Sequence, residues 1–416
     1  MEKYSTRGTA SSRPTWETLE TFARSGVQQL LQKLLDEEVT ELLGRGRSER
    51  RAGVDAEAGY RNGYGKPRKL TMSSGTVTIK RPRVRGMEER FESTILPLFK
   101  RQTKEIGKLL PELYLHGLSE GDFDLALRGL LGEGAPLSAS SIARLKEGWQ
   151  GEFETWKKQS LKDVEAVYLW VDGVYVKAGL EKEKAALLVV VAGLRDGTKQ
   201  VLAVEAGHRE STESWSAILR DLKSRGLEAP KLVIGDGALG IWGGLANVYP
   251  DSEEQRCWNH RIINILDKLS KKQQRQAKLI LTRIPYADTR EQAEELKKEF
   301  QSWCEKKGAG EAGRLLDHDW ERMVSFYAFP QQHWKHLRTT NVIESPFATV
   351  RLRTGAAKRY KKVENATAVI WKVLRIAEKS FRRLNAPELL PDVLAGITYV
   401  NGVRVRTSKL EERITA

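Results

Sequence analysis

Cysteine is scarce: the 416 residues hold two, Cys257 and Cys304. A disulfide framework is excluded, and so is a four-cysteine zinc site. Long apolar runs are missing too. The longest, Ala185 to Leu194, is half the length that a bilayer span needs. No membrane partner is expected. Met1 to Pro14 is built of Ser, Thr, Gly and Arg, without the apolar centre of a secretory signal, so the expected location is cytoplasmic. No Gly-x-x-x-x-Gly-Lys-Ser/Thr loop occurs, and no nucleotide cofactor is expected. Acidic residues are in deficit, 55 Asp and Glu against 70 Lys and Arg, a net charge of +15. Such an excess bears on partners rather than fold and favours a polyanion. What remains, 40% hydrophobic and 30% charged residues, is enough for sizeable cores in two or three domains.

Charge and periodicity divide the chain. Residues 1–15 carry no pattern and are expected to be disordered. Leu19, Phe22, Val27, Leu30, Leu31, Leu34, Leu35, Val39 and Leu42 then recur at three- and four-residue steps. They predict a helix from Glu17 to Leu43 whose wide apolar face packs within its own domain or forms a dimer seam. Residues 60–104 hold twelve Lys or Arg and three Glu, a net +9. At their centre, Lys69 to Pro82 alternates as strands do around a Ser-Ser-Gly turn, a basic hairpin. Its Lys80, Arg81, Arg83 and Arg85 are suited to DNA phosphates. Residues 117–158 read as helix-turn-helix. Ser119 and Asp122 form a capping box, and Phe123, Leu127 and Leu130 face inward. Gly132 to Pro136 breaks the chain before a second helix turns Ile142, Leu145 and Trp149 inward and Arg144 and Lys146 outward.

From Glu165 the texture becomes α/β. Val167–Val171, Val174–Ala178, Ala185–Ala192, Gln200–Val204, Lys231–Ile234 and Gln255–Trp258 read as strands, and Ser211–Lys223 and Gly237–Val248 as helices. From Asn259 to Lys335 the pattern is helical and charged. Ile397 to Val405, with Asn401-Gly402, reads as a small hairpin. Three carboxylates stand out: Asp172 and Asp236, each ending an apolar strand, and Glu344 opening a helix. Strand ends of α/β sheets are where ligands gather. Converging carboxylates need a cation, and hard oxygen donors select Mg²⁺ or Mn²⁺. Each has a plainer explanation: a hairpin turn at Asp172-Gly173, a helix cap at Asp236, a solvated helix residue at Glu344. The order strand–Asp, strand–Asp, helix–Glu is that of the ribonuclease H-like fold. Asp236 and Glu344 lie 108 residues apart. A helix, a strand and a second helix fill about 40 residues, which leaves residues 259–335 as an all-α insertion.

Four segments together resemble the bacterial mutator-type insertion-sequence transposases, relatives of the plant Mutator element. They are Val171-Asp172-Gly173-Val174-Tyr175-Val176-Lys177, Ile234-Gly235-Asp236-Gly237-Ala238, Arg256-Cys257-Trp258-Asn259-His260, and Thr339-Thr340-Asn341-Val342-Ile343-Glu344-Ser345 with Arg351-Leu352-Arg353-Thr354. The resemblance spans about residues 17–400. It implies an α/β ribonuclease H-like catalytic domain with an all-α insertion, preceded by a helical and β-hairpin DNA-binding region. The expected division is 16–58 helical, 59–160 DNA-binding, 161–258 and 336–395 catalytic, 259–335 inserted and 396–416 a tail. Asp172, Asp236 and Glu344 become the catalytic and metal-holding triad, with two Mg²⁺ ions that Mn²⁺ can replace.

The resemblance further implies a bacterial, nucleoid-associated enzyme that binds the terminal inverted repeats of its element. It would cleave their 3′ ends and join them to target DNA as a homodimer or larger homo-oligomer. Cys257 and His260 would stand near the site as structural or phosphate-contacting residues; a zinc site there would need His333 and His336. Trp303, Trp320 and Trp334 are expected in the core, with one available to stack on an unpaired base. Arg351, Arg353, Lys358, Arg359, Lys361 and Lys362 follow Glu344 and would lie along the DNA backbone. The rival readings are a DNA-binding regulator without catalysis and a ribonuclease H-like nuclease without strand transfer.

Overall fold

A computed structural model describes residues 15–51, 53, 58–97, 103–118, 128, 131, 139–179, 184–207, 209–237 and 239–405. The chain divides into two compact units, residues 1–145 and 146–416. The inward residues of the expected first helix-turn-helix helix, Phe123, Leu127 and Leu130, and the breaker from Gly132 to Pro136 lie outside the described residues, as do residues 1–14 and 406–416.

In the first unit, α1 (Leu19–Leu43) ends at Gly44, whose φ of 60° closes the last turn as a left-handed cap. Strands β1 (Tyr60–Tyr64) and β4 (Pro82–Arg85) pair with each other. Between them lies the basic hairpin of β2 (Arg68–Met72) and β3 (Gly75–Ile79), turning at Ser73-Ser74 as the sequence predicts. Leu35 of α1 packs with Leu70, Val77, Ile79 and Leu96. Gln32 fixes the helix to the hairpin twice: its amide donates to the Lys80 carbonyl at 3.0 Å and accepts from the Lys80 N–H at 2.9 Å. The expected apolar face of α1 is therefore split. Leu35, Val39 and Leu43 are buried, whereas Leu19, Phe22 and Leu30 are exposed. Helix α2 (Lys104–Leu115) follows.

The unit boundary falls inside α3 (Ala139–Lys157). Past the boundary, Phe153 and Trp156 pack on Trp371 with ring centroids 5.6 Å apart in each case. The second unit is built on a five-stranded sheet in the order β7-β6-β5-β8-β9. Its strands are β5 (Ala166–Val176), β6 (Ala185–Leu194), β7 (Lys199–Gly207), β8 (Leu232–Gly235) and β9 (Glu253–Arg256). The first three form an antiparallel meander, and β8 and β9 add on in parallel to β5.

One expectation is corrected here. Val167–Val171 and Val174–Ala178 are not two strands joined by a turn at Asp172-Gly173. They are the single strand β5, in which Asp172 pairs with Val189 and Gly173 with Leu188. The Asp-Gly dipeptide favours tight turns, but an unbroken run of pairings with apolar β6, from Tyr168↔Gly193 to Val176↔Ala185, holds it straight.

Helices α4 (Thr212–Ser224) and α5 (Leu239–Val248) cover one face of the sheet. Leu169 and Val171 of β5 meet Trp215, Leu219, Ile241 and Leu245 there in one fully buried cluster. Each such side chain contributes about 1.5–3 kcal/mol on burial. Tyr168 and Trp170, of opposite parity, point to the other face. Tyr168 bonds His333 at 2.8 Å, and Trp170 donates to the His336 carbonyl at 2.9 Å.

After β9 the described chain is helical until Tyr399: α6 (Trp258–Leu266), α7 (Lys271–Leu281), α8 (Arg290–Lys306), α9 (Gly310–His318), α10 (Trp320–Val324), α11 (Trp334–Leu337), α12 (Asn341–Ala357), α13 (Val363–Glu378) and α14 (Leu390–Leu394). Helix α12 returns to β5 and α13 to β7. Strands β10 (Tyr399–Val400) and β11 (Val403–Arg404) form the expected hairpin. Asn401 and Gly402 at φ 49° and 78° give the turn that right-twisted strands require. No described helix is long and apolar enough to cross a membrane.

Candidate active site

The parallel pairing of β5 with β8 ends at Trp170↔Ile234. Two residues further along each strand stand Asp172 and Asp236. Asp172 is still within β5, whereas Asp236 lies one residue past the end of β8, so both acids stand where the pairing of the two strands gives out. Beyond Gly235, β8 stops while β5 runs on to Val176. This opens a notch in the sheet at the two aspartates. Gly237 begins the departure with φ 94°, and a side chain there would collide with the Arg256 guanidinium.

A chain of hydrogen bonds brings the third carboxylate to the same edge. The Cys257 N–H donates to the Gly235 carbonyl at 2.8 Å, extending the β8–β9 pairing by one residue. The Thr340 N–H donates to the Cys257 sulfur at 3.3 Å. The Thr340 hydroxyl donates to Glu344 Oε1, one helical turn on. Glu344 thus projects from the first turn of α12, with its Oε1 3.9 Å from His260 Nδ1. Cys257 precedes α6 and is fully buried, while His260, one turn into α6, is half-buried.

Electrostatics tie the groups together. Burial and then Asp236 push the Asp172 carboxyl up to about 7, with a smaller push from Glu210. The Gly173 N–H, which donates to Asp172 Oδ1 at 2.7 Å, and His260 oppose that rise. His260 is pushed up to about 9. Its hydrogen bond with Cys257 is the main cause, and Glu344 and Asp236 add to it. His260 is thereby a positive group among these acids, and the Arg256 guanidinium acts on Asp236 as well. Cys257, His260 and Glu344 also place ligand atoms within 4.8 Å of one another, a group that could hold a metal ion. His333 and His336 do not join it. His333 is buried beside Tyr168, and His336 bonds Asn385.

The cationic residues meet varied fates. Lys80, just after the hairpin, and Arg83 and Arg85 of β4 are exposed, with Arg81 half-buried; Arg144 is exposed and Lys146 half-buried on α3. Beyond Glu344, Arg351, Lys358, Arg359, Lys361 and Lys362 are exposed. Arg353 is not. It is 1% exposed, so its expected place on the DNA backbone is corrected to a place in the core. Helical spacing explains this, because Pro346, Phe347, Val350 and Arg353 share the buried side of α12. Trp303, Trp320 and Trp334 are likewise buried, which removes them as stacking platforms.

Two neighbours of the site escaped the sequence reading. Thr340 lies four residues before Glu344, a spacing that puts both on one helix face. Glu210 lies between the third strand and its helix cap Ser211, where its half-buried carboxylate feels Asp236.

The family described as "Transposase, Mutator family" matches residues 5–383. The transposase for insertion sequence element IS6120 of Mycolicibacterium smegmatis is 42% identical over 71% of this chain and 92% of its own length. The transposase for insertion sequence element IST2 of Acidithiobacillus ferrooxidans is 38% identical over 70% of this chain and 99% of its own. More distant is the transposase for insertion sequence element ISRM5 of Rhizobium meliloti, 28% identical over 83% of the chain and 85% of its own length. With nearly the whole chain matched, it belongs to the Mutator family of transposases and serves DNA transposition.

Proposed function

We propose that the chain binds the terminal inverted repeats of an insertion sequence, cleaves their 3′ ends and transfers them to target DNA. Asp172, Asp236 and Glu344 would act as a metal-holding triad on a ribonuclease H-like sheet. The observation that carries this reading is the notch beside β8, where Asp172 on β5 and Asp236, one residue past the end of β8, each follow the last paired couple Trp170↔Ile234 by two residues. The antiparallel meander continued by two parallel strands supports the ribonuclease H-like assignment.

The donor set fits Mg²⁺ or Mn²⁺. Carboxylate oxygens suit hard cations, and a carboxyl pushed up to about 7 by burial and then by its acidic neighbours gains most from a divalent ion. The Cys257–His260–Glu344 group offers a thiol, an imidazole and a carboxylate, a set that suits a softer ion than carboxylates alone do. When bound at the carboxylates, a pair of divalent ions supplies charge for both the attacking and the leaving oxygen of an in-line displacement.

The chain's own residues do the rest. Asp172 and Asp236 present oxygens from a rigid sheet. The Thr340 hydroxyl holds Glu344 in one rotamer. His260 sets a positive charge where a phosphate would enter beside Glu344. In cleavage, a water oxygen bonds to phosphorus as the P–O3′ bond breaks, and O3′ leaves with a proton as a free 3′-hydroxyl. In transfer, that hydroxyl loses its proton and bonds to a target phosphorus, displacing the target's own O3′. Arg351, Lys358, Lys361 and Lys362 offer exposed charge along the same helix and the loop after it, with Lys80 and the Arg83 and Arg85 of β4 contributing separately. Joining two ends calls for at least two copies of the chain.

The test is a short duplex carrying the element's inverted repeat, mixed with protein, Mg²⁺ and a target plasmid. Binding, 3′ cutting and joined products are expected together. Binding without cutting would leave a regulator, and cutting without joining a nuclease.

A further inference from the structure

Cys257, His260 and Glu344 reach one point from three places in the chain. Cys257 follows β9 and caps α6, His260 lies in the first turn of α6, and Glu344 in the first turn of α12. All three side chains turn toward the Thr340 hydroxyl. Its Oγ1 is 3.2 Å from Cys257 Sγ and 3.4 Å from His260 Nδ1, and it bonds Glu344 Oε1. A hydroxyl has one proton to give, so it serves one of these neighbours and leaves lone pairs on the others. The three ligand atoms lie within 4.8 Å of one another, with His260 Nδ1 and Glu344 Oε1 3.9 Å apart. A tetrahedral ion with bonds of about 2.0–2.3 Å holds its ligands about 3.3–3.8 Å apart. Small side-chain movements therefore close this set on an ion. Asp172 and Asp236 are outside the group.

The donors decide which ion fits. A thiol and an imidazole select Zn²⁺ over Mg²⁺. Cys257 is fully buried, while the His260 and Glu344 side chains are 34% and 32% exposed, so the group is walled on the sulfur side and open on the other. Three protein ligands with a fourth position open to water is how accessible zinc sites are built. An ion entering here replaces the imidazole proton and the thiol proton, which leave to solvent. We propose that Cys257, His260 and Glu344 bind a thiophilic divalent ion such as Zn²⁺, which withdraws Glu344 from Asp172 and Asp236 and holds DNA cleavage off. Binding rests on this group alone; the withdrawal rests on the metal-holding triad proposed above. Two effects produce it. The charge of Glu344 Oε1 is spent on the thiophilic ion. That ion also adds positive charge beside His260, whose charge is already felt by Asp172 and which itself feels Asp236. Mg²⁺ has no preference for the thiol and leaves Glu344 to the aspartates.

The test titrates the full chain, reduced and without DNA, with Co²⁺ as a coloured stand-in for Zn²⁺. A thiolate-to-cobalt charge-transfer band is expected in wild type and should be displaced by Zn²⁺. It should vanish in Cys257→Ser and persist in Cys304→Ser, which changes the other cysteine, and in Asp172→Asn. Glu344→Gln should weaken Co²⁺ binding by roughly 10-fold or more. Should Cys257→Ser not fold, His260→Gln takes its place, with a similar loss of affinity. No band in wild type, a band that survives Cys257→Ser, or Co²⁺ binding untouched by Glu344→Gln overturns the site. Cutting of inverted-repeat DNA in Mg²⁺ is then measured with and without one equivalent of Zn²⁺, each variant against its own zinc-free rate. Zn²⁺ should slow wild type by roughly 10-fold or more and Cys257→Ser far less. Equal slowing of both, or none in a wild type that shows the band, overturns the withdrawal of Glu344. A wild type that cuts nothing in Mg²⁺ alone defeats the triad reading instead, and the cobalt band still reports on this group.

Discussion

Two carboxylates of the second unit sit among charged neighbours and differ in what surrounds them. Asp319 is 5% exposed, and Arg256 and Arg261 both reach its Oδ2, with the Arg322 guanidinium 3.5 Å and the His318 ring 3.2 Å from its Oδ1. The fold brings its own cations to that acid. At the notch the proportions are reversed. Asp172 lies with Asp236 and Glu210, and the positive group that counters it is His260. An acid neutralised by arginines is finished when the chain folds. Acids that crowd one another have capacity left for an external cation, which is what the proposed metal-holding role needs.

Substitution should separate the two sites cleanly. Asp172→Asn, Asp236→Asn and Glu344→Gln should each cut inverted-repeat DNA slower by roughly 1,000-fold or more, with double mutants hardly worse than singles, as for residues acting as one unit. End binding should persist, because removing a carboxylate relieves repulsion with phosphate. Metal-free Asp172→Asn should melt no lower than wild type at pH 8. Asp319→Asn should do the opposite. It leaves Arg256 and Arg261 buried without their carboxylate and should lower unfolding free energy by about 3–5 kcal/mol in a urea titration. Loss of stability at Asp172, or tolerance at Asp319, would erase the distinction.

A third and smaller effect is the pH dependence. The Asp172 carboxyl is raised from 3.8 to about 7, so the stability it lends is fully present below pH 3.8 and is lost as pH rises through 7. His260, raised from 6.5 to about 9, lends stability below pH 6.5 that is lost as pH rises through 9. Metal-free protein should therefore melt lower at pH 8 than at pH 6. Mg²⁺ competes with the proton on Asp172, so the shift it produces should grow from pH 5.5 to about 7 and level off above. The groups facing Asp172 that set this are Asp236, Glu210, His260 and the Gly173 N–H. A Mg²⁺ shift independent of pH would mean that the ion binds elsewhere.

Local chemistry made much of this legible in advance. The Ser73-Ser74 and Asn401-Gly402 turns and the end of α1 at Gly44 each follow from residues that leave little choice. Asp172 and Asp236 were legible as acids closing apolar runs. That β5 passes straight through Asp172-Gly173 was not, since it depends on β6, a partner 17 residues away at Val189. Glu210 was hidden for the same reason: nothing in its own neighbourhood shows that Gly173 and Gly240 are shaped to receive it. Whether a basic residue on α12 is exposed or buried is set by its place around the helix, at about 100° per residue, and basic composition cannot resolve that.

That last point yields the finest test, because Arg351 and Arg353 repeat among cations the contrast between Asp172 and Asp319. Arg351 is exposed on the helix that carries Glu344, while Arg353 is buried in the layer that joins α12 to the rest of the unit. A phosphate contact contributes roughly −0.9 to the slope of log affinity against log salt. Arg351→Gln should therefore flatten that slope by about 1 for end binding and leave the urea midpoint unchanged. Arg353→Gln should leave the slope alone and move the midpoint, because a buried guanidinium supports its surroundings through packing and hydrogen bonds that glutamine cannot reproduce. Both quantities come from one preparation of each variant, by fluorescence anisotropy from 50 to 200 mM salt and by denaturation. Reversed outcomes would put Arg353 on the DNA and require α12 to rotate when it binds.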